Sequence, residues 1–300
     1  GIRSAMPISR AWKLCPDGLY LRPHFDLYIP ASNSIMEILR SRADRFEPGG
    51  IDEAYLDISN RVKDFDEAGD FAKRLMEEVL EKEHLTCSVG IAPNKMVAKI
   101  ASDFRKPYGL TAVKPEDVKD FLFPLEVRKI PGVGAKTELA LMELKIETVK
   151  DLACMKPEML MRLFGVWGAR LHEFANGIDH REVIEEYETK SIGRDTTFER
   201  DADDREKILG VLDELSEEVH ADAIANGFKF KTITVRIRYE HFDTHTSARS
   251  LTFYTNDLDI LSNNAQRLIV PFLRGKKKVR LIGVRVSNLI RGTLLRAIDA

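Results

Sequence analysis

Ten residues in the last third of the chain, KTITVRIRYE at 231–240, carry an alternating pattern. Ile233, Val235, Ile237 and Tyr239 share one parity; Thr232, Thr234, Arg236 and Arg238 share the other. Successive strand side chains point to opposite faces, so this run reads as a strand with one packed face and one polar face. An antiparallel sheet covered on one side satisfies that pattern. The neighbouring signals extend it. A strand pattern at 191–198 precedes a long acidic helical pattern at about 202–226, and TSARSLTFY follows the alternating run after a turn near Asp243. A helical pattern at about 258–273 and the strand KVRLIGVRVSNL complete the order β-α-β-β-α-β, the split βαβ arrangement.

A chain of 300 residues is too long for one ordinary core, so two or three domains are expected. Residues 1–24 read as a short helix broken at CPDG. Ser32 or Asn33 can cap a helix running to about residue 45. EPGG then turns the chain into a strand at 51–58. A helix at 65–83, a strand in LTCSVGIA and a helix at 95–104 follow, the last opened by Pro93 and Asn94. Strand, helix, strand, helix describes an α+β sheet domain ending near residue 113. Residues 114–187 read as all helical, ETKSIGR at 188–194 as a polar linker, 195–290 as the last domain and 291–300 as a tail. The fold class is α+β and multidomain.

Cys15, Cys87 and Cys154 are scattered and odd in number. That argues against a disulfide framework and for small buried side chains in a reducing, cytoplasmic compartment. No apolar run reaches spanning length and no secretory pattern opens the chain, so a soluble protein is expected. The formal net charge of −2 hides a segregation: residues 195–222 carry eleven acids against three bases, and residues 229–296 fourteen bases against four acids. A basic face of that kind is what a polyanion needs.

Four stretches carry chemistry. In GGIDEAYLDIS, Asp52 and Glu53 are adjacent carboxylates on a strand pattern. Two acids at a strand edge can converge on a hard cation such as Mg²⁺, which takes carboxylate oxygens and substrate phosphates; the plain alternative is a strand with one solvated face. Asp57 reads as a strand-end cap. In SVGIAPNKMVAKIASDFRKPYG, Lys106 precedes Pro107 at a helix end, where its charge can reach a triphosphate. Lys95 and Lys99, four apart, read as a solvated helix face. In IPGVGAK, Gly132 and Gly134 allow a sharp turn into a helix N-terminus beside Lys136, a hairpin suited to a DNA phosphate. LFGVWG at 163–168 is a weaker echo. Finally Arg236, Arg238 and Arg249 on neighbouring strands, with Lys276, Lys277, Lys278, Arg280 and Arg285 near the last one, offer an open sheet face to a phosphate backbone. No Walker loop, serine elbow or histidine cluster is present. QRLIVPFL loosely resembles a clamp-binding peptide but falls on a packed helix pattern.

Together these stretches resemble the Y-family, or lesion-bypass, DNA polymerases, in particular the DNA polymerase IV branch. GIDEAYLDIS resembles that family's second catalytic motif and SVGIAPNKMVAKIASDFRKPYGL its third. IPGVG resembles the helix-hairpin-helix of its thumb, and KSIGRDTTF and KVRLIGVRVSNL the boundaries of its little finger. The resemblance implies a fingers remnant at 1–24, a partial palm at 25–113, a helical thumb at 114–187, and a β-α-β-β-α-β little finger. It implies two Mg²⁺ ions held by Asp52, which would bridge them, and Glu53, which would bind the ion activating the primer 3′-hydroxyl. Lys106 would contact the incoming triphosphate, and Ala5 and Met6 would lie near the templating base. Partners would be primed DNA, deoxynucleoside triphosphates and a sliding clamp, with the protein a monomer. The family's first motif, with another metal-binding aspartate and a steric gate, has no counterpart in the sequence. The expectation is therefore a segment of a larger polymerase with little or no activity by itself. The alternatives are a non-catalytic DNA-binding repair module and, more distantly, a helix-hairpin-helix nuclease.

Overall fold

The computed structural model describes residues 1–186, 188–275 and 277–291. The chain divides into two compact units, Gly1–Glu186 and Tyr187–Ala300.

The first unit opens with helices α1 (Ile8–Leu14) and α2 (Phe25–Ser41), followed by strands β1 (Arg45–Pro48) and β2 (Ala54–Asp57). Two sequence expectations are corrected here. Helix α2 begins earlier than Ser32, carries Pro30 inside it, and stops before residue 45. Residues 45–48 form a strand instead, paired antiparallel with β2 from Arg45↔Asp57 to Pro48↔Ala54. Four residues containing Glu47 and Pro48 give little strand signal, yet Phe46 and Glu47 are buried. The expected strand at 51–58 is accordingly shorter. Asp52 and Glu53 lie in the hairpin loop, whose Gly49 N–H donates to the Glu53 carbonyl at 2.7 Å.

Helix α3 (Phe65–Glu83) is capped by Asp64, which accepts from the N–H groups of Asp66 and Glu67. Its apolar stripe packs Leu75 and Val79 on Ile38 of α2. Strand β3 (Val89–Ile91) pairs parallel with β4 (Leu110–Ala112), a strand too short to be read from the sequence. The described strands of this unit form two separate two-stranded sheets. Helix α4 (Lys95–Phe104) crosses between β3 and β4, and Gly90 makes that approach fit. A Cβ at Gly90 would sit 2.1 Å from the Ala98 carbonyl oxygen.

Short helices α5 (Val118–Leu122), α6 (Ala135–Glu143), α7 (Val149–Ala153), α8 (Pro157–Phe164) and α9 (Val166–Ala175) follow. Met96, Val97, Ile100 and Ala101 of α4 share one core with Leu122, Leu141, Leu152, Leu160, Leu171 and Phe174 of these helices. One face of α4 thus anchors the helical region.

The second unit is β5 (Ser191–Ala202), α10 (Arg205–Ala225), β6 (Phe228–Tyr239), β7 (Thr244–Thr255), α11 (Leu258–Ile269) and β8 (Val279–Arg291). The strands form one antiparallel sheet in the order β5-β8-β6-β7. Strand β5 begins at Ser191, as the strand pattern at 191–198 requires, so the linker expected at 188–194 gives up its last four residues to the sheet. Ile233, Val235, Ile237, Ile282, Val284 and Val286 are buried in one core with Ile208, Leu212 and Val219 of α10 and Leu261, Ala265 and Ile269 of α11. Gln266 of α11 donates to both Asp213 oxygens at 2.9 and 2.8 Å, so the QRLIVPFL stretch is part of this packed helix and its continuation. The expected tail beyond residue 291 and Lys276 lie outside the described residues.

Candidate functional site

The β1–β2 loop presents Asp52 and Glu53 at the surface. Beneath it, α4 sends two lysines one turn apart into the hairpin. Lys95 donates to Glu47 at 2.6 and 2.8 Å, and both side chains are buried. Its ammonium also lies 5.4 Å from the Tyr55 ring centroid. Lys99 pairs with Glu53. The expected solvated face of Lys95 and Lys99 is therefore wrong: β1, unread in the sequence, supplies the buried acid that turns Lys95 inward. Asp57 accepts from the Ser59 N–H at 3.0 Å and its hydroxyl at 2.6 Å, and those bonds hold its carboxyl below the ordinary range.

A segment leaving α9 ties α4 to the hairpin. Asn94 caps α4, accepting from the Val97 N–H at 3.1 Å and donating to the Gly177 carbonyl at 2.8 Å. Asp179 accepts from the Met96 N–H at 3.1 Å and from the Arg181 guanidinium at 2.8 and 2.7 Å. Burial pushes the Asp179 carboxyl up, but the hydrogen bonds and charge of Arg181 outweigh it and the net is lowered. Further along, the Ile184 N–H donates to Glu47 at 2.8 Å and Arg45 pairs with Glu182 at 2.7 Å. Burial first, then the Glu53 charge, raises the Tyr55 hydroxyl.

Exposed, adjacent carboxylates are a hard oxygen donor set, and Mg²⁺ is commonly held by one or two carboxylates together with substrate phosphates. Asp52 and Glu53 fit that description as part of a site. Among the described residues no group of three or more His, Cys, Asp or Glu is placed to hold a metal ion. Lys106 sits just past α4, where its ammonium pairs with Asp103 at 2.6 Å.

In the helical region, Gly132 has φ +94°, and a Cβ there would strike the Trp167 ring at 2.6 Å. The indole therefore covers the hairpin turn, joining IPGVG to its weaker echo. Gly134 is the N-cap of α6 without a side-chain cap, and Lys136 lies exposed in the first turn. Gly165, φ +62°, joins α8 to α9.

In the second unit the register sorts the basic residues. Thr232, Thr234, Arg236 and Arg238 share the face away from the helices. Arg236 is aligned with Gly283 of β8 and Thr246 of β7, and Gly283 in turn with Asp195 of β5. Arg285 stands beside Thr234 and Gly193 one row along. Arg249, by contrast, pairs with buried Ile233, so it lies on the helix-covered side at an edge and not with Arg236. Arg236 donates to Asp195 at 2.6 Å, and Arg238 to the Thr244 hydroxyl at 2.8 Å. Arg280 reaches Asp201 at 3.4 Å and lies 4.8 Å from the ring of exposed Phe242, which Arg238 also flanks. Lys278 lies 3.9 Å from Asp203. The hairpin site and this sheet fall in different units. Sequence reasoning missed Glu47, Asp179, Asp195 and Phe242. Only Asp195 had a signal, since its parity with Gly193 and Thr197 places all three on one strand face.

Comparison with known proteins bears on both units. A profile of the impB/mucB/samB family matches residues 1–103, its C-terminal domain matches residues 189–296, and a DNA polymerase-iota thumb-domain profile matches residues 128–179. The chain is 47% identical to DNA polymerase IV 2 of Methanosarcina mazei, covering 96% of this chain and 78% of that protein. It is 46% identical to DNA polymerase IV of Methanoculleus marisnigri, covering 99% and 82%. Among solved structures, a Y-family chimera of Dbh and Dpo4 superposes with a TM-score of 0.88 at 31% identity, covering 97% of this chain and 85% of that one. An insertion ternary complex of Dbh DNA polymerase gives a TM-score of 0.66 at 31% identity, with the same coverage.

Proposed function

Because this chain belongs to the impB/mucB/samB family, the Y-family DNA polymerases, we propose how its residues divide the work of template-directed DNA synthesis. The chain is related to DNA-directed DNA polymerases of the DNA polymerase IV, translesion kind. Primed DNA and deoxynucleoside triphosphates are its substrates, and its chemistry depends on a divalent metal.

The carrying observation is the hairpin loop: two exposed carboxylates on a turn whose strands and flanking helix are fixed by a buried ion pair and hydrogen bonds. In this reading residues 25–113 are the palm, 114–187 the thumb and the second unit the little finger. Asp52 and Glu53 are ligands for two Mg²⁺ ions. When bound, the ions lower the pKa of the primer 3′-hydroxyl and neutralise charge on the leaving pyrophosphate. Asp52 and Glu53 would hold the metal beside the primer 3′-hydroxyl. Lys99 keeps Glu53 in place before substrate arrives. Lys106, on leaving Asp103, meets the triphosphate as a point charge. Gly132, Gly134 and Lys136 approach a DNA phosphate at the N-terminus of α6. Arg236, Arg238 and Arg285 on the open sheet face follow the backbone, with Lys278 and Arg280 at its margins, while Arg249 lies across the β7 edge on the other side.

Two carboxylates are a short donor set for two ions, so the 300 residues by themselves should extend a primer weakly or not at all. We assign the protein to the cytoplasm as a monomer, with a sliding clamp as a further partner. Primer extension by the natural protein, beside Asp52→Ala and Glu53→Ala, tests the catalytic assignment. Loss of extension with primed-DNA binding retained supports it. Undiminished extension in both variants would leave only a DNA-binding role for the loop.

A further inference from the structure

We propose that Asp195 is an internal competitor for the DNA backbone: it holds Arg236 in the free protein and yields it to a phosphate on binding, setting how tightly the open sheet face grips DNA. The inference rests on the reading that this face binds DNA. Across the sheet, Asp195, Gly283, Arg236 and Thr246 form one row. Asp195 and Arg236 are separated by a whole strand, and their side chains nevertheless meet at 2.6 Å. The path exists because residue 283 is glycine. A Cβ there would lie 1.7 Å from the Asp195 carboxylate oxygen.

The carboxylate is out of keeping with its surroundings. The neighbouring open-face rows are Ser191, Ser287, Thr232 and Ser250; Gly193, Arg285, Thr234 and Ala248; and Thr197, Leu281, Arg238 and Thr244. In these paired rows, among the described residues, Asp195 is the one acid. The next residue, Arg194, lies on the opposite face and pairs with Asp222 at 2.5 Å on acidic α10. The acids of that helix are therefore directed away from the arginine face, whereas Asp195 is placed within its paired rows. It is not needed to align β5 with β8, since backbone pairing runs from Ser191↔Ser287 through Thr197↔Leu281.

A carboxylate and a phosphate satisfy a guanidinium by the same charge-assisted hydrogen bonds. The Arg236 and Asp195 side chains are each about a third exposed, 34% and 38%, so DNA can reach the pair and solvent can take the released acid. Each phosphate that Arg236 neutralises first requires release from Asp195, and the released carboxylate then repels the backbone beside it. Both effects weaken binding. A polymerase with such an internal acid lets go of DNA more readily than its arginines alone dictate.

The test is fluorescence anisotropy of a labelled primed duplex with the full chain, across a series of NaCl concentrations. Asp195→Asn is expected to tighten binding by roughly three- to tenfold at the lowest salt and to steepen the logarithmic salt dependence by about 0.9, one phosphate's worth. Asp195→Ser should do the same, because it too removes the charge although it shortens the side chain. In an Arg236→Ala background Asp195→Asn should tighten binding distinctly less, through lost repulsion alone, and Asp222→Asn, on the helix side, should not match it. Equal tightening by Asp222→Asn, or tightening undiminished without Arg236, would mean diffuse charge and overturn the pairing. Unchanged affinity in Asp195→Asn, while Arg238→Ala and Arg285→Ala weaken binding, would overturn this inference alone. If those two arginine variants also bind as the wild type does, the DNA-binding reading of the face falls with it. Self-association of Asp195→Asn without tighter DNA binding would instead make Asp195 a guard of the β5 edge.

Discussion

Lys95 and Glu47 face each other in a buried pair, the ammonium 2.6 and 2.8 Å from the two carboxylate oxygens, with side chains 8% and 4% exposed. Glu47 also accepts from the Ile184 N–H, so a single carboxylate joins β1, α4 and the segment after α9. A buried pair contributes little net stability compared with apolar packing, but removing one partner strands the other charge.

Lys95→Ala should therefore destabilise the first unit by about 3 kcal/mol, the usual scale for removing one member of a buried ion pair. Trp12 and Trp167 are the two tryptophans of the chain and both lie in this unit, so urea unfolding followed by their fluorescence reports it selectively. Lys95→Met, with Glu47→Leu added, should recover much of the loss, since both charges are then gone. No recovery would mean that the damage comes from lost packing.

One turn along α4, Lys99 holds Glu53 at the protein surface. Any cation that uses Glu53 must displace this ammonium or share the carboxylate with it. Lys99→Met should then raise divalent-cation affinity, by roughly fivefold for a partly exposed charge worth on the order of 1 kcal/mol. Mn²⁺ titration followed by paramagnetic relaxation measures this without any turnover. Weaker Mn²⁺ binding in the variant would show that Lys99 orients Glu53 more than it competes for it.

The contrast between these two lysines shows what the sequence carries. The alternation in 231–240 was legible because period two and a one-sided core leave no other reading, and Ile233, Val235 and Ile237 are buried as it requires. Helix α3 was legible from its helical period and α4 from its opening at Pro93 and Asn94, the residue that caps it. The inward turn of Lys95 was not legible, because its partner sits on a four-residue strand 48 positions away. Long-range pairing of that kind is set by register and packing. The same limit hid Asp195 and Arg236, whose meeting depends on Gly283 standing between them. The separation of Arg249 from Arg236 likewise follows from β7 pairing, which alternation within one strand cannot fix.

Asp179 gives the first unit a pH dependence of definite sign. Its carboxyl lies below the ordinary aspartate range, because the Arg181 guanidinium and two backbone N–H groups outweigh the burial that pushes it up. A carboxyl lowered on folding contributes stability that is fully present above its unfolded pKa and is lost as pH falls through the folded value. Asp57 and Asp151 are lowered too, each mainly by hydrogen bonds from a nearby Ser or Thr, so acid should destabilise this unit through several groups together. Asp179→Asn keeps an acceptor for the Met96 N–H but loses the charge that faces Arg181. It should cost about 2 kcal/mol at pH 7, within the range for removing a charged hydrogen-bond partner. The deficit should begin to shrink below about pH 4, where the carboxyl of the unfolded chain takes up its proton, and go on shrinking until the folded carboxyl is protonated too. Urea midpoints by tryptophan fluorescence at pH 7, 5, 4 and 3 check both the size and the slope. A deficit that stays constant to pH 3 would mean that the Asp179 charge does not support the junction of α4 with the segment beyond α9, and that shape alone holds it.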